Sequence, residues 1–294
     1  MESLLSKIQH GAILVSDGAW GTFLHQKGLE PGECPELWND THPDDVLDIA
    51  KSYINAGADM IETNSFGGSR FKLEHYGLAD RAAELNEKAA TISRKAAGDD
   101  HYVLGSIGPT GKMLMMGDVT EDEWLEAFTV QAVALANGGA DAIIVETMSA
   151  LDEASAAIRA AKDNTDLPVI CTMTFEKTVN NDYRSMMGVS PEDAASALKA
   201  AGADVIGTNC GNGIEQMIDI VKTMRAVDYN IPILVHANAG APQVQDGKTF
   251  FPEGPADTAK WVQSFVEAGG NIIGGCCGTT PEHIQAIRNE ILIF

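Results

Sequence analysis

The sequence predicts an α/β fold, a single (β/α)8 TIM barrel that spans residues 1–294. Three observations predict it. Eight β-rich runs alternate with long helical patterns, a short repeat precedes every second run, and polar residues collect where the runs end. Because the carboxyl ends of the strands meet at one mouth of such a barrel, we expect the active site there.

The eight predicted strands are short runs of apolar residues bounded by turn residues. In chain order they cover residues 12–19, 60–66, 102–109, 142–148, 168–175, 205–211, 232–240 and 271–278. Amphipathic stretches such as "EDAASALKAAG" lie between them and end in the glycine that commonly closes a helix. Eight such units fit a closed barrel better than an open doubly wound sheet.

A weak internal repeat supports this unit. The segments "AGADMI" (56–61), "GGADAI" (138–143), "AGADVI" (201–206) and "AGGNII" (268–273) each predict a helix end, a tight turn and a strand start. The segment after the first strand, "SDGAWGT", does not match the G-x-G-x-x-G phosphate turn of a dinucleotide-binding fold. No linker or change of composition indicates a second domain.

Composition narrows the class of protein. The chain is 45 % hydrophobic with a net charge of −22, which disfavours binding to nucleic acid or to an anionic membrane. No apolar run approaches the length of a membrane span, and Lys7 and His10 interrupt the apolar residues of a signal-peptide pattern. Five cysteines in a chain of this length do not make a disulfide scaffold. We therefore expect a cytoplasmic protein.

The polar residues of the predicted strands gather at the mouth of the barrel. They are Asp17, Glu62, Thr63, Asn64, Glu146, Asn209, Cys210, His236, Asn238, Cys276 and Cys277. Cys276 and Cys277 end the eighth strand, where the alternation of side chains need not hold. We expect the glycines at 274, 275 and 278 to tolerate the unusual dihedral angles that turn both sulfurs inward.

Cys210 ends the sixth strand and completes a trio of thiols across the mouth. Three thiolates with one open position suit a catalytic Zn²⁺, whereas a structural site closes with four protein ligands. The alternatives are a redox-active vicinal pair or an incidental one, with a buried and inert Cys210. Cys171 lies inside an apolar run and is predicted to be core, and Cys34, in the polar loop "GECPEL", is predicted to be an ordinary free thiol.

The motifs "DGAWGT", "ETNSFGGSRFKL", "GTNCG", "HANAG" and "GGCCGTTPEHI" together resemble the homocysteine S-methyltransferase family. The closest likeness is to the homocysteine-binding barrel of cobalamin-dependent methionine synthases, and it runs from about residue 12 to residue 288. The resemblance implies a (β/α)8 barrel whose catalytic zinc is bound by Cys210, Cys276 and Cys277.

The same resemblance implies the reaction. Zinc would hold homocysteine as a thiolate at neutral pH, and a methyl group would be transferred to that sulfur to give methionine. Three cysteinate ligands leave the bound sulfur electron-rich, which favours alkyl transfer over hydrolysis. Asp17 and Glu146 would bind near the substrate ammonium, and backbone N–H groups at Gly18 and Ala19 would receive its carboxylate.

Four further residues carry predictions. Thr63 and Asn64, in the motif "ETNSFGGSRFKL", are assigned to the substrate site. Asn238 is a candidate fourth zinc ligand before homocysteine arrives, with a hydrogen bond to loop backbone as the alternative. His236 is expected to be a hydrogen-bonded histidine of the inner barrel.

The methyl donor is the least determined part. Enzymes that use betaine surround the quaternary nitrogen with aromatic faces, and here Thr147 and Gly67 stand where those aromatics are expected. We therefore expect a methylated corrinoid such as methylcobalamin, carried by a separate protein because the sequence contains no cobalamin-binding module. A small onium donor (betaine, S-methylmethionine or another sulfonium) is the alternative. A vicinal-dithiol metal or redox sensor and a scaffold subunit of a methyltransferase complex are the non-enzyme alternatives.

Five methionines follow the third and fifth predicted strands, in "KMLMMG" (112–117) and "RSMMG" (184–188). A flexible apolar rim of this kind could receive a partner protein or a corrinoid face. Filling of gaps beneath long loops is the favoured alternative.

Overall fold

A computed structural model describes residues 2–245 and 248–293 of the chain. Its central element is one sheet of eight parallel strands. They are β1 (Leu14–Val15), β2 (Met60–Glu62), β3 (Tyr102–Ile107), β4 (Ala142–Met148), β5 (Val169–Met173), β6 (Val205–Gly213), β7 (Ile233–Asn238) and β8 (Ile272–Gly275). All eight predicted strands are confirmed, most of them with shorter bounds.

The sheet curls into a barrel. The hydrogen-bonded order is β1-β8-β7-β6-β5-β4-β3-β2, and every neighbouring pair is parallel. At the seam between β1 and β2, the Asp59 amide donates to the Val15 carbonyl at 2.7 Å. The Val15 amide in turn donates to Asp59 Oδ2 at 2.8 Å. These bonds nearly close the sheet and confirm the predicted TIM barrel.

Helices surround the strands. Within the described residues they are α1 (Leu4–Gln9), α2 (Gly21–Lys27), α3 (Trp38–Thr41), α4 (Pro43–Asn55), α5 (Arg70–Glu74), α6 (Ala82–Ala97), α7 (Glu121–Asn137), α8 (Leu151–Asn164), α9 (Pro191–Ala201), α10 (Ile214–Val227), α11 (Pro255–Ala259), α12 (Val262–Glu267) and α13 (Pro281–Ile291). The long ones are amphipathic, as α4 illustrates, because Val46, Ile49, Ala50 and Tyr53 recur at helical spacing and are all fully buried.

The interior of the barrel has an apolar layer and a polar layer. Every second residue of a strand faces inward, and the inward residues at the amino ends are apolar. They include Leu14, Met60, Tyr102, Leu104, Ala142, Ile144, Ile170, Val205, Leu234 and Ile272. Further along the same strands the inward series becomes polar. Glu62, Ser106, Glu146, Thr172 and His236 lie two residues beyond an apolar inward residue, and Asn209 lies four residues beyond Val205; all six are buried. The barrel interior is therefore apolar at the amino ends of the strands and polar at the mouth.

The internal repeat has a structural role at the amino ends of the strands. In each copy a polar residue precedes an even-numbered strand. Its side chain accepts a hydrogen bond from a backbone amide at the start of the odd-numbered strand beside it. The four pairs are Val15 N to Asp59, Val103 N to Asp141, Val169 N to Asp204 and Ile233 N to Asn271, at 2.8–2.9 Å. A basic side chain contacts each acceptor, and these are Arg288, Arg94, Lys162 and Arg225. The repeat therefore fixes the register at alternate strand pairs.

Two small hairpins extend the mouth. One pairs Glu176–Lys177 with Tyr183–Arg184 after β5, and the other pairs Gln243–Gln245 with Lys248–Phe250 after β7. Among the described residues, no helix combines the length and the apolar character that crossing a membrane requires.

Asp204→Ala should reduce the free energy of unfolding by about 1.5–3 kcal/mol, because it leaves the buried Val169 amide and the Lys162 ammonium without their acceptor. Asp204→Asn should cost less, since Asn271 performs the same task in the fourth copy of the repeat. Urea unfolding followed by circular dichroism measures both. Asp163→Ala, at an exposed position of α8, is the control, and an equal loss in all three variants would contradict the assigned role.

Candidate active site

The three predicted cysteines meet at the mouth of the barrel. The sulfur atoms of Cys210, Cys276 and Cys277 all lie within 4.8 Å of one another. The Cys210 and Cys277 sulfurs are 3.9 Å apart. Sixty-seven residues separate these two positions in the chain, so the closed sheet brings them together.

The adjacent cysteines share a site because β8 ends just before them. Cys276 continues the inward series of Ile272 and Gly274, and its amide still donates to the Ala237 carbonyl at 2.7 Å. Cys277 belongs to the turn that follows, in which the Thr279 hydroxyl donates to the Cys276 carbonyl at 2.7 Å. Both sulfurs therefore reach the mouth.

The glycines around the pair act differently from our expectation. Only Gly278 has a left-handed backbone, with φ +81°. A Cβ atom on Gly274 would lie 2.8 Å from the Asp17 carbonyl oxygen, and one on Gly275 would lie 2.2 Å from Thr279 Oγ1. The prediction of unusual dihedral angles is thus wrong for Gly274 and Gly275, which are required because neighbouring atoms approach the strand end closely.

Cys210 reaches the site through an irregular strand. Its φ is +59°, a left-handed conformation that is uncommon for a residue with a side chain, and Gly211 follows at +76°. The pairing of β6 with β7 shifts register between Asn209 and Gly213. This bulge turns the Cys210 side chain toward the other two thiols.

The trio is electrostatically suited to a cation. Hydrogen bonds from Cys276 and Cys277 lower the pKa of Cys210 to about 3. The Cys210 thiolate in turn raises the pKa of Cys277 to about 12 and that of Cys276 well above its ordinary value. One thiol of the three ionises readily, and the other two need a positive charge to follow it.

Asn238, on β7, is the fourth polar residue beside the trio. It is 4 % exposed, and its Oδ1 atom has no hydrogen-bond partner among the described residues. Its side chain also helps to lower the pKa of Cys210, which indicates that the two are in contact. A buried amide oxygen without a donor is costly unless something else occupies its lone pairs.

Two histidines lie near the mouth. Nδ1 of His236 is 3.3 Å from Glu62 Oε1, but neither this oxygen nor His236 Nε2 has a hydrogen-bond partner among the described residues, so the expected hydrogen-bonded histidine is not found. His283 forms part of the cap of α13, with Nδ1 accepting from the Thr280 amide at 3.2 Å.

A cluster of buried acids lies beneath the thiols. Burial and mutual repulsion raise the pKa of Asp17 to about 7, and burial raises that of Glu62 to about 8. Burial, followed by repulsion from Glu62, raises the pKa of Glu146 well above its ordinary value. Burial also lowers the pKa of His236, so this residue does not supply the missing positive charge. The cluster favours a cationic ligand.

A cavity of about 270 Å³ connects the acids to the thiols. Of the predicted substrate residues, Gly18, Ala19, Thr63, Asn64 and Glu146 line it together with the three cysteines. The volume is that of a small amino acid, well below that of a macrocycle.

Several predicted substrate residues already have protein partners. Asp17 is fully buried outside the lining, and its Oδ2 accepts from Trp20 Nε1 and from the Glu62 amide, each at 2.8 Å. The Ala19 amide donates to Thr279 Oγ1 at 3.1 Å.

The hydrogen bonds of Thr63 and Asn64 hold loops. Thr63 Oγ1 accepts from the Ser106 amide at 2.9 Å. Asn64 Nδ2 donates to the Pro35 carbonyl at 2.8 Å. The side chains that organise this mouth are thus partly engaged before any ligand binds.

Three residues of the site carried no role in the sequence predictions. Glu62 lines the cavity, the Ser106 hydroxyl donates to Glu146 Oε1, and the Asn209 amide lies between Glu146 and the thiols. All three continue the inward series of their strands. Glu62 and Asn209 were predicted at the mouth without a role, and the two-residue spacing from Leu104 is the signal that could have found Ser106.

The methionines of the two loops form an exposed apolar rim. Met115 is 75 % exposed and Met186 is 80 % exposed, so the filling of gaps beneath loops does not explain them. Met113 and Met187 are about two-fifths exposed and line a second cavity of about 210 Å³. Two other cysteines lie apart from the trio: Cys171 is core, as predicted, and Cys34 is a free but buried thiol.

The sequence profile of the homocysteine S-methyltransferase family matches residues 14–291, nearly the whole chain. The chain belongs to the homocysteine S-methyltransferase family. It is 34 % identical over 299 residues to methionine synthase from Mycobacterium leprae, and equally so to methionine synthase from Mycobacterium tuberculosis. Each alignment covers 95 % of this chain and 24 % of the synthase, so the chain spans about a quarter of the length of these relatives.

Solved structures support the fold of this family member. The metallated form of the homocysteine methyltransferase MmuM from Escherichia coli superposes with a TM-score of 0.78 and 22 % identity, covering 97 % of this chain and 98 % of MmuM. A methyltransferase from Methanosarcina mazei superposes with a TM-score of 0.63 and 12 % identity, covering 99 % and 97 %.

The acid cluster makes stability depend on pH. Because the native pKa values of Asp17 and Glu62 are raised, the folded state holds more protons than the unfolded state between about pH 4 and pH 8. Their contribution to stability is therefore full below the unfolded pKa values and is lost as pH rises through the folded ones. Glu62→Gln removes one such proton, and it should make the decline of the unfolding free energy shallower by up to about 1.4 kcal/mol per pH unit.

Urea unfolding of metal-free protein between about pH 5 and pH 8 measures this slope. Glu87→Gln, at an exposed position of α6, is the control and should leave it unchanged. A wild-type slope in Glu62→Gln would mean that Glu62 is ionised in the native state throughout.

Proposed function

We propose that this chain is a zinc-dependent methyltransferase domain, covering residues 1–294, that transfers a methyl group to the thiolate of homocysteine to give methionine. The observation that carries the proposal is the convergence of three thiols and a cluster of buried acids on one cavity of amino-acid size. The thiols suit a metal and the acids suit a substrate ammonium. Family membership supports homocysteine as the acceptor.

The metal ligands would be Cys210, Cys276 and Cys277, with Asn238 as fourth ligand until the substrate thiol replaces it. The sulfur spacing fits one small ion, and the Asn238 oxygen lacks any other partner among the described residues. The raised pKa values of Cys276 and Cys277 express the same need for a cation. Bound there, Zn²⁺ would supply a Lewis acid that keeps the homocysteine thiol deprotonated at neutral pH.

The acids would bind the other end of the substrate. Glu146 lines the cavity and is held by Ser106 and Asn209, so it is the principal partner proposed for the ammonium group. Glu62 lines the same wall, and Asp17 lies behind it and adds negative potential. An ammonium group would lower the raised pKa values of these acids and relieve their mutual repulsion.

Backbone groups would receive the substrate carboxylate. Gly18 and Ala19 line the cavity directly before α2, whose first turn leaves backbone N–H groups without intrahelical partners. Thr63 and Asn64 would shape this wall through the loop that their hydrogen bonds hold. With both ends of the amino acid fixed, the thiol would be directed toward the trio, where its attack on a methyl carbon needs no further base.

A methylated corrinoid, methylcobalamin or a relative, is the donor we propose, presented by a separate protein. Similarity to methionine synthases supports a corrinoid as the donor, and the exposed rim of methionines, which offers an apolar face at the mouth, supports its presentation by another protein. A cavity of about 270 Å³ does not hold a corrinoid macrocycle, so a corrinoid would approach from above it.

A small onium donor is the second candidate. Trp20 and Phe66 line the cavity with the buried carboxylate of Glu36, and aromatic faces with a carboxylate attract a cation. Trp38 lies outside this lining and stacks on His42 with a centroid distance of 4.3 Å. Two aromatics fall short of the cage that a quaternary nitrogen prefers.

Purified protein should hold about one zinc per chain, and Cys210→Ser, Cys276→Ser and Cys277→Ser should each lose it, since two thiolates bind zinc far more weakly than three. Elemental analysis after dialysis against a weak chelator measures the content. Cys34→Ser, at a buried thiol outside the trio, is the matched control and should keep its zinc. Full occupancy in any of the three site variants would contradict the ligand assignment.

Zinc-loaded protein with homocysteine should form methionine from methylcobalamin slowly, and faster from a methylated corrinoid protein that also engages the methionine rim. The measurements are the corrinoid absorption spectrum and the methionine produced. Met115→Glu combined with Met186→Glu should reduce turnover with the corrinoid protein while sparing free methylcobalamin. Rapid methionine formation from betaine or S-methylmethionine, with both corrinoid donors inert, would overturn this choice and favour the second candidate.

A further inference from the structure

We infer that Asn209 is a positioning residue that ties the substrate carboxylate Glu146 to the thiol site. This inference rests on the proposed binding of the substrate ammonium by Glu146. Asn209 lies on β6 directly before Cys210, is fully buried and does not line the cavity. Its action is therefore through other residues.

The side-chain amide of Asn209 is fully hydrogen-bonded. Oδ1 accepts from the Thr147 amide at 2.9 Å and from the Thr172 hydroxyl at 2.7 Å. Nδ2 donates to Thr147 Oγ1 at 2.7 Å and to Glu146 Oε2 at 3.3 Å. Because the Thr147 backbone amide can only donate, the orientation of the Asn209 amide is fixed.

This amide holds two irregular strand ends at once. Thr147 has φ +61°, a strained conformation for a β-branched residue, and the pairing of β4 with β5 shifts register between Val145 and Met148. Cys210 has φ +59° at the bulge of β6. Such conformations are sparsely populated and persist only where the surroundings impose them.

The two strained residues carry the two halves of the site. The bulge at 146–147 sets the direction of Glu146, and the bulge at β6 sets the direction of the Cys210 thiol. Nδ2 of Asn209 also lies 4.0 Å from Cys276 Sγ. One buried amide thus spans the gap between the carboxylate and the sulfurs, across β5. It fixes the distance between the Glu146 carboxylate and the thiols. The distance between the ammonium and the thiol of one substrate molecule must match it.

The experiment measures homocysteine binding to zinc-loaded protein by calorimetry, with zinc content and melting temperature determined for each variant. Glu146→Gln should bind about ten- to a hundredfold more weakly, and Asn209→Ala about tenfold more weakly, with one zinc retained in both. In the double variant the loss should stay within about twofold of that of Glu146→Gln alone, because Asn209 acts through Glu146.

Thr208→Val is the matched control. Thr208 is buried beside Asn209 on the same strand, and its hydroxyl has no hydrogen-bond partner among the described residues, so affinity should not change. If Asn209→Ala does not fold, Thr147→Val carries the test, since it removes only the hydroxyl that accepts from Nδ2, and an affinity loss of about twofold or more is expected.

The outcomes separate the inference from the proposed function. Losses that multiply in the double variant, or wild-type affinity in Asn209→Ala or Thr147→Val beside a weakened Glu146→Gln, would overturn the positioning role and leave the function standing. Wild-type affinity in Glu146→Gln would reject Glu146 as the ammonium partner and, with it, this inference.

Discussion

The closed parallel sheet is the constraint on which the site depends. Its strands are short, and β1 has only two residues, so the ladder alone holds the amino end of the barrel weakly. Three aspartates and Asn271 of the repeat add a side-chain hydrogen bond and a basic partner at every second strand pair. A slip of one residue in β6 or β8 would turn Cys210 or Cys276 away from the interior, since side chains alternate between faces. The position of the thiol cluster is thus specified at the opposite end of the strands from the cysteines themselves.

The buried polar residues at the mouth reduce the free energy of unfolding, whereas the apolar layer at the amino ends of the strands increases it. The inward residues change from apolar to polar within two positions on most strands. This places Asp17, Glu62 and Glu146 in a region where the described residues include no buried lysine or arginine and where burial lowers the pKa of His236. Each raised pKa expresses free energy that the native state loses in holding an ionised carboxylate there. The three thiols carry the same kind of cost. Two cations, the proposed metal and the substrate ammonium, would relieve both costs.

The sequence predicted the architecture well because its signals are local. The eight strands and the helix-ending glycines follow from patterns of a few residues, and the cysteine trio follows once the barrel is assumed. The prediction that Gly274 and Gly275 adopt unusual dihedral angles was wrong. These glycines are required because Thr279 and the Asp17 carbonyl approach them closely, and that approach depends on packing between segments far apart in the chain. The buried position of Asp17 and the strained φ of Thr147 and Cys210 are likewise tertiary properties. Counting in twos from Leu104 would have selected Ser106.

The electrostatics of the site also bear on how a turnover ends. In the proposed reaction the bound sulfur begins as a thiolate and becomes a neutral thioether, whereas the ammonium and carboxylate of the amino acid do not change. The contacts proposed for Glu146 and for the backbone near Gly18 would therefore hold substrate and product equally, and only the sulfur end would distinguish them. The methylated sulfur is a weaker ligand than a thiolate, and Asn238, whose Oδ1 has no other partner among the described side chains, is suited to compete with it. Asn238 would therefore favour product release. The buried acids would set the affinity for the amino acid that this release has to overcome.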